Sequence, residues 1–425
     1  MLIRIAALAA CLLALLAGAP ARASERLTLD DALRRIEHAH PDLRLTGFRR
    51  DVLSAERDQA SLRPPLVLAA SIDNILGSGE RRLLDSAEAT VTLASVFERG
   101  GKLDARKTLA QTRIDALGVE RETKRLDLLA EVARRYLAIA AAGRQREIAQ
   151  HDIAQRKRTV AGARHRFSAG ASPQSVVFAA EAALARAELE YARAAQREAS
   201  SKQHLAALWG ERDPAFQTVA GNPYALPAIA PFAELADWLQ RTPEITQFNG
   251  ELRIREARLQ LARTQATPDW DWQMGARYFR EGGDVALIAS ASLPLGARQR
   301  AQPGIRVAEA ELAMLGIERE SKQIELYSTL AEAHGNYLGA QLEVRRLGRD
   351  VIPKLGQAEN AAERAYRAGA ISYLEWAQLQ SERTDARKQQ LDAALEAQRA
   401  LIEIQRLTGQ AFASAQAANE QGEDP

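Results

Sequence analysis

Leu117-Gly118-Val119-Glu120-Arg121-Glu122-Thr123-Lys124 returns almost unchanged as Leu315-Gly316-Ile317-Glu318-Arg319-Glu320-Ser321-Lys322. Four more pairs surround it. Phe167-Ser168-Ala169-Gly170-Ala171 returns as Tyr366-Arg367-Ala368-Gly369-Ala370, and Tyr136-Leu137 as Tyr337-Leu338. Trp209-Gly210 returns as Thr408-Gly409, and His40-Pro41-Asp42-Leu43 as Thr242-Pro243-Glu244-Ile245. All five keep one order at a displacement of about 200 residues, which chance among Ala- and Glu-rich helices does not produce. The chain therefore reads as two structural repeats, residues 24–210 and 232–409. Residues 211–231 join them and carry Pro214, Pro223, Pro227 and Pro231, the density of an extended connector. Residues 410–425 are rich in Ala, Gln and Glu and are expected to be a disordered tail.

Each repeat runs through the same elements. A helical segment comes first, at about residues 29–62 and again at 232–266. Thr28-Leu29-Asp30-Asp31 offers a cap at the first, and Pro64-Pro65 and Pro268 close the two. A strand pair follows, at about 66–97 and 269–294. In its clearest strand Trp270, Trp272, Met274, Ala276 and Tyr278 share one parity, while Asp269, Asp271, Gln273, Gly275 and Arg277 share the other. Period-two alternation sends these sets to opposite faces. Glu281-Gly282-Gly283-Asp284 supplies the turn. Alternating strands of about ten residues with aromatics near one end mark a membrane β-barrel. On this hairpin alone, a soluble hairpin packed on helices fits equally. The first pair alternates less cleanly, and its longer loop holds Gly77, Gly79, Glu80, Arg81 and Arg82.

Two very long helical stretches come next, from about residue 103 to 166 and from 307 to 367. Apart from Pro353 in the second, neither has an interior proline. Some 60 residues of helix span roughly 90 Å, against about 12 residues for an ordinary globular helix. Each meets a glycine-containing break, then a return helix that ends at Gly210 or Gly409, where glycine suits a C-cap. Apolar spacing such as Leu391, Leu395 and Ile402 is compatible with coiled-coil packing.

The N-terminus predicts export. Met1 to Arg4 is a short basic start, residues 5–16 are apolar, and Ala21-Arg22-Ala23 is a small-residue cleavage signal, so residues 1–23 read as a signal peptide. The apolar run is too short for a spanning helix, which needs ~20 residues. Cys11, the only cysteine, falls inside this segment, and the apolar run before it is too short for a lipoprotein box. The mature chain is then free of cysteine and must be held by packing or assembly. A net charge of +2 gives no field for nucleic acid.

An exported chain with four candidate membrane strands cannot close a barrel alone, because an open sheet leaves backbone groups unpaired in lipid. The smallest closed barrels have about eight strands. If the strands enter a membrane, the subunit must oligomerise, with the helix breaks on the order of 90 Å from the barrel.

This order of elements resembles the TolC-type outer-membrane efflux factors over nearly the whole mature chain. The resemblance rests on Pro243-Glu244-Ile245, on Pro268 and on Leu293-Pro294-Leu295. Phe97-Glu98-Arg99-Gly100-Gly101-Lys102 and the run from Arg367 to Glu375 add to it. Gly275-Ala276-Arg277-Tyr278 and Glu281 to Leu287 look most like the branch serving cobalt–zinc–cadmium efflux. The resemblance implies a mainly helical subunit with a small transmembrane β part, forming as a homotrimer an α-barrel and a twelve-stranded β-barrel in outer-membrane lipid. It implies a periplasmic adaptor and an inner-membrane pump of the resistance–nodulation–division class as partners. It also implies that the helix breaks form the periplasmic tip, which closes at rest and docks the adaptor.

A passive channel needs no nucleophile, only rings of charge that bias passage or hold a gate. Candidate tip and docking residues are Gly170, Ser172, Gln174 and Ser175 in the first repeat, and Arg364, Arg367, Gly369, Ser372 and Glu375 in the second. Glu375 stands where several members of the resembled family carry an acidic gate residue, with Arg364 and Arg367 near enough in sequence to pair with it. The alternative, which the sequence favours over the gate, is a solvated carboxylate at a helix start, stabilised by the dipole. Asp269, Asp271 and Arg277 are candidate lumen residues; Trp270, Trp272 and Tyr278 are candidate membrane-interface aromatics. His38 and His40 are the only close histidine pair, too few for a metal site, and no cofactor is expected. No phosphate loop, dinucleotide fingerprint or nucleophile motif suggests an enzyme. Alternatives are the same channel serving drugs, organic compounds or secreted proteins, a periplasmic coiled-coil adaptor, and a soluble helical scaffold. An adaptor would need β-rich flanking domains, which this sequence lacks.

Overall fold

The computed structural model describes residues 26–75, 85–218 and 221–412. The expected signal peptide, nearly all of the expected tail and the glycine-bearing stretch 76–84 lie outside the described residues.

A two-residue strand β1 (Arg26–Leu27) leads into helix α1 (Leu29–Ala39). Thr28 caps α1 reciprocally. Its Oγ1 accepts from the Asp31 amide at 3.1 Å, and its own amide donates to the Asp31 carboxylate at 3.2 Å. The single helical segment expected over 29–62 is broken at His40, and α2 runs Pro41–Ala60. Proline pushes the preceding residue out of the helical region, and His40 is extended at ψ 128°. The His40 ring Nδ1 then accepts from the Asp42 amide at 3.1 Å and restarts the helix at once. Thr242 before Pro243 is likewise extended, at ψ 153° but without a side-chain cap, separating α5 (Phe232–Trp238) and a short 3₁₀ turn from α6 (Pro243–Thr264).

Strands β2 (Val67–Asp73) and β3 (Glu88–Phe97) follow α2; β5 (Trp270–Phe279) and β6 (Asp284–Ser292) follow α6. The two hairpins join edge to edge as one antiparallel sheet of order β2-β3-β5-β6. In the central pair Glu88 lies opposite Phe279 and Phe97 opposite Trp270.

Helix α3 (Lys102–Ser168) has 67 residues, about 100 Å, and α4 (Gln174–Ala206) returns beside it. The second long stretch begins at Ala297, well before the expected residue 307, so Pro303 lies inside α7 (Ala297–Arg346). A π turn at Leu347–Val351 links α7 to α8 (Ile352–Arg367). Pro353 has no N–H to offer the preceding turn and crowds its carbonyls, and the widened turn just ahead of it accommodates both effects. Helix α9 (Tyr373–Thr408) returns to Gly409 at φ +71°.

The proline-rich connector is more ordered than an extended link. Gln217–Thr218 forms β4, parallel to β1, and Phe216 is buried. The Gln398 side chain donates to the Pro223 and Ala225 carbonyls at 3.2 and 3.0 Å. The Tyr337 hydroxyl donates to the Pro227 carbonyl, as the Tyr136 hydroxyl does to that of Leu27 at 2.9 Å. Both tyrosines sit in apolar cores. One core gathers Leu27, Ile36, Val132, Ile139 and Leu205; the other gathers Leu235, Leu330, Leu401, Ile404 and Leu407. Burial pushes both phenols up to about 12. Leu129, Ala133, Ile402 and Phe412 pack between the two halves.

Candidate functional site

The sheet has two unlike faces. Register places Leu68, Val91, Leu93, Trp270, Trp272, Met274, Tyr278, Val285 and Leu287 on one side. Leu68 is 73% exposed and Leu287 90%. An apolar surface this continuous exceeds what soluble monomers leave bare, and among the described residues no helix covers it. The opposite face carries Ser71, Asp73, Glu88, Thr90, Thr92, Asp271, Gln273, Arg277, Ser290 and Ser292. There the Arg277 guanidinium donates to Thr90 and Glu88, both at 3.0 Å. Ser292 donates to Asp271 at 3.3 Å. The alternation of residues 270–278 therefore sorts these side chains as expected: Trp270, Trp272 and Tyr278 on the apolar face, Asp271 and Arg277 on the polar one. Asp269 stands one residue ahead of β5, outside the strand. Its carboxylate accepts from Lys102 Nζ at 2.6 Å and from the Arg99 amide at 3.0 Å, tying the β3–α3 turn to the start of β5.

The far end of the molecule holds the two helix breaks. Gly170 and Gly369 adopt left-handed φ of +71° and +80°, which a Cβ would strain. Ser172 lies in the first turn, Pro173 precedes α4, and Gln174 and Ser175 open that helix. In the second break Ser372 caps α9. The Glu375 carboxylate accepts from both the Ser372 amide and its hydroxyl at 2.8 Å. These bonds, the amide first, hold the Glu375 carboxyl below its ordinary value. Glu375 thus sits in a capping box. Arg367 pairs with Glu363 at 2.6 Å and not with Glu375, and Arg364 is exposed on the same helix.

Sequence reasoning missed the contacts that join the breaks. Arg166 donates to the Tyr366 carbonyl at 2.6 Å, and its guanidinium lies 4.9 Å from the Tyr366 ring centre. Tyr366 packs on Trp376, which is 2% exposed, with ring centres 5.0 Å apart. Behind them a buried polar layer joins α3 to α8 and α9. Glu359, 4% exposed, accepts from Gln155 at 2.9 Å and from Arg383 at 2.6 Å. Gln380 pairs with Thr159 at 2.9 Å, and Arg156 reaches Asp152 at 3.1 Å and Ser381 at 3.0 Å. Gln, Thr, Glu and Arg at helical spacing look like a solvated face in sequence, so no signal marked them as interior.

Among the described residues no group of three or more His, Cys, Asp or Glu could hold a metal ion. Among them, too, no helix is long and apolar enough to cross a membrane.

A sheet apolar on one face and polar on the other, carried on helical hairpins about 100 Å long, is the architecture of a membrane channel subunit. Residues 32–211 and 235–410 each match the outer membrane efflux protein family, and the chain belongs to that family. The cobalt-zinc-cadmium resistance protein CzcC of Cupriavidus metallidurans is 25% identical over 92% of either chain. The pyoverdine export outer membrane protein OpmQ of Pseudomonas putida is 24% identical over 82% of this chain and 75% of its own. The fold matches that of CusC at a TM-score of 0.75 with 18% identity, covering 90% of this chain and 92% of the other. VceC of Vibrio cholerae matches at 0.70 with 18% identity, covering 91% and 97%. The protein is an outer membrane efflux protein with the fold of the CusC and VceC channels, and its family members are passive channels, not enzymes.

Proposed function

We propose that three copies of this chain close a twelve-stranded barrel and conduct divalent heavy-metal cations outward. The cations would be handed over by a periplasmic adaptor and a resistance–nodulation–division pump. The observation that carries the assembly is the open sheet. Among the described residues strands β2 and β6 have no partner on their outer edges, yet one face of the sheet is apolar and bare. In lipid such edges must be paired, and copies joined β6 to β2 around a ring would pair them all. The polar face then lines the lumen with Asp271, Arg277 and Glu88, while Trp270, Trp272 and Tyr278 meet lipid at the interface. The breaks at Gly170 and Gly369 form the periplasmic tip that docks the adaptor, and residues 1–23 direct export. The likeness to CzcC over nearly the whole chain supports metal cargo.

Deleting the gene tests the cargo. The reading expects sensitivity to zinc, cobalt or cadmium, restored by a plasmid copy, with drug susceptibility unchanged. Sensitivity confined to drugs or to loss of an exported organic compound would move the channel to the organic-cargo branch.

A further inference from the structure

The helical end of the sheet carries a charge pattern that conduction does not require. Arg63 and Arg99 are exposed on the segments that join strand β2 to α2 and strand β3 to α3, and Arg298 and Arg300 are exposed in the first turn of α7, just after β6. Two carboxylates at this end are already paired, while Asp104 stands exposed in the first turn of α3. Glu98 accepts from Arg106 at 2.9 Å, and Asp269 is held by Lys102 at 2.6 Å. At the other end of the strands, some 30 Å away, the described residues reverse the sign: Asp73, Asp85, Glu88, Glu281 and Asp284 outnumber Arg277 and Arg280.

The cations border bare apolar surface. The Arg99 guanidinium lies 5.8 Å from the ring centre of Trp270, which faces the apolar side. Leu66, three residues after Arg63, is 65% exposed, and Leu295, three residues before Arg298, is 82% exposed. A soluble anion would use the guanidinium groups and leave the leucines in water. A molecule with a phosphodiester head and acyl chains uses both, and guanidinium groups suit phosphate oxygens.

We propose that this collar binds the headgroups of anionic phospholipids in the leaflet nearest the helical hairpins. The inference rests on the sheet lying in the membrane. The trimer, extracted in mild detergent, is titrated by native mass spectrometry with phosphatidylglycerol or phosphatidylcholine of identical acyl chains. The expected result is retention of phosphatidylglycerol about fivefold or more over phosphatidylcholine, falling below about twofold in R63Q/R99Q/R298Q/R300Q with the trimer and its bilayer conductance intact. Equal retention by the wild-type trimer, or an unchanged preference in the variant, overturns it. Displacement of the lipid by millimolar inorganic phosphate overturns the commitment to a lipid. If the quadruple variant does not assemble, R63Q/R99Q and R298Q/R300Q are tested separately. Failure of both to trimerise would make these arginines subunit contacts and overturn the proposal. A wild-type chain found as a soluble monomer contradicts the barrel reading itself, a different result from an intact trimer that ignores lipid charge.

Discussion

Glu359→Ala tests the buried polar layer near the tip. The Glu359 carboxylate is the shared acceptor of Gln155 on α3 and Arg383 on α9, so its loss unpairs groups in both halves. Removing one member of a buried ion pair costs about 3–5 kcal/mol, because the other charge is left uncompensated. The Arg383 side chain is 22% exposed, so water relieves part of that charge and the value falls near the low end, about 3 kcal/mol. Gln155 is buried and has no such relief. The loss is local, so the assay is hydrogen exchange on the detergent-solubilised protein. Peptides covering residues 150–160 and 355–385 should exchange faster by roughly two powers of ten, while those around Tyr136 and Tyr337 stay unchanged. Glu359→Gln keeps an acceptor for Arg383 and should fall between the two. A change below threefold in the tip peptides, or equal acceleration throughout the chain, would refute the reasoning.

Three other expectations rest on particular contacts. A Cβ at Gly275 would stand 2.3 Å from the Val91 carbonyl oxygen, inside the β3–β5 ladder, so Gly275→Ala should abolish the heat-modifiable oligomer in outer-membrane fractions. Tyr136→Phe and Tyr337→Phe each strand one backbone carbonyl and should cost about 1 kcal/mol, read as faster exchange at residues 26–30 and 224–230 respectively. Because burial raises both phenols, their contribution is complete below the unfolded phenol value and is lost as pH rises through about 12; the double variant should flatten that alkaline limb in a fluorescence melt. The Glu375 carboxyl is depressed, so its cap is complete above the unfolded carboxyl value and fades as pH falls through the folded one. Trp376 fluorescence, isolated by difference against Trp376→Phe, should follow that acid transition in wild type and not in Glu375→Gln.

The sheet was the most legible part of the molecule. Alternation over residues 270–278 assigned each side chain to a face because a strand's period is two and one face here has no protein against it. Helix ends were legible where glycine takes left-handed φ, as at Gly170, Gly369 and Gly409. The start of α7 was not. Pro303 reads as a breaker, yet α7 runs through it with residues 298–307 mostly exposed, and among the described residues no packing contact explains the continuation. The break at His40 had a local signal, the proline after it, but the continuous polar pattern of residues 29–62 concealed it. At the tip, the capping role of Glu375 was one of two readings the sequence left open. The partners of Arg166, Glu359 and Gln380 were out of reach, since each lies about 200 residues away along the chain or across a helix pair. The connector's contacts were out of reach for a similar reason: prolines set its backbone, but Tyr337 and Gln398, far along the chain, hold it in place.

The central claim is that the bare apolar face meets lipid in a closed trimer. The full 425-residue chain is expressed in a Gram-negative host, inner and outer membranes are separated, and the fractions are run on denaturing gels with and without boiling. The account predicts an outer-membrane species of about three subunits that collapses to the monomer on heating. A monomer recovered from the soluble periplasmic fraction would contradict it and leave a helical scaffold in its place.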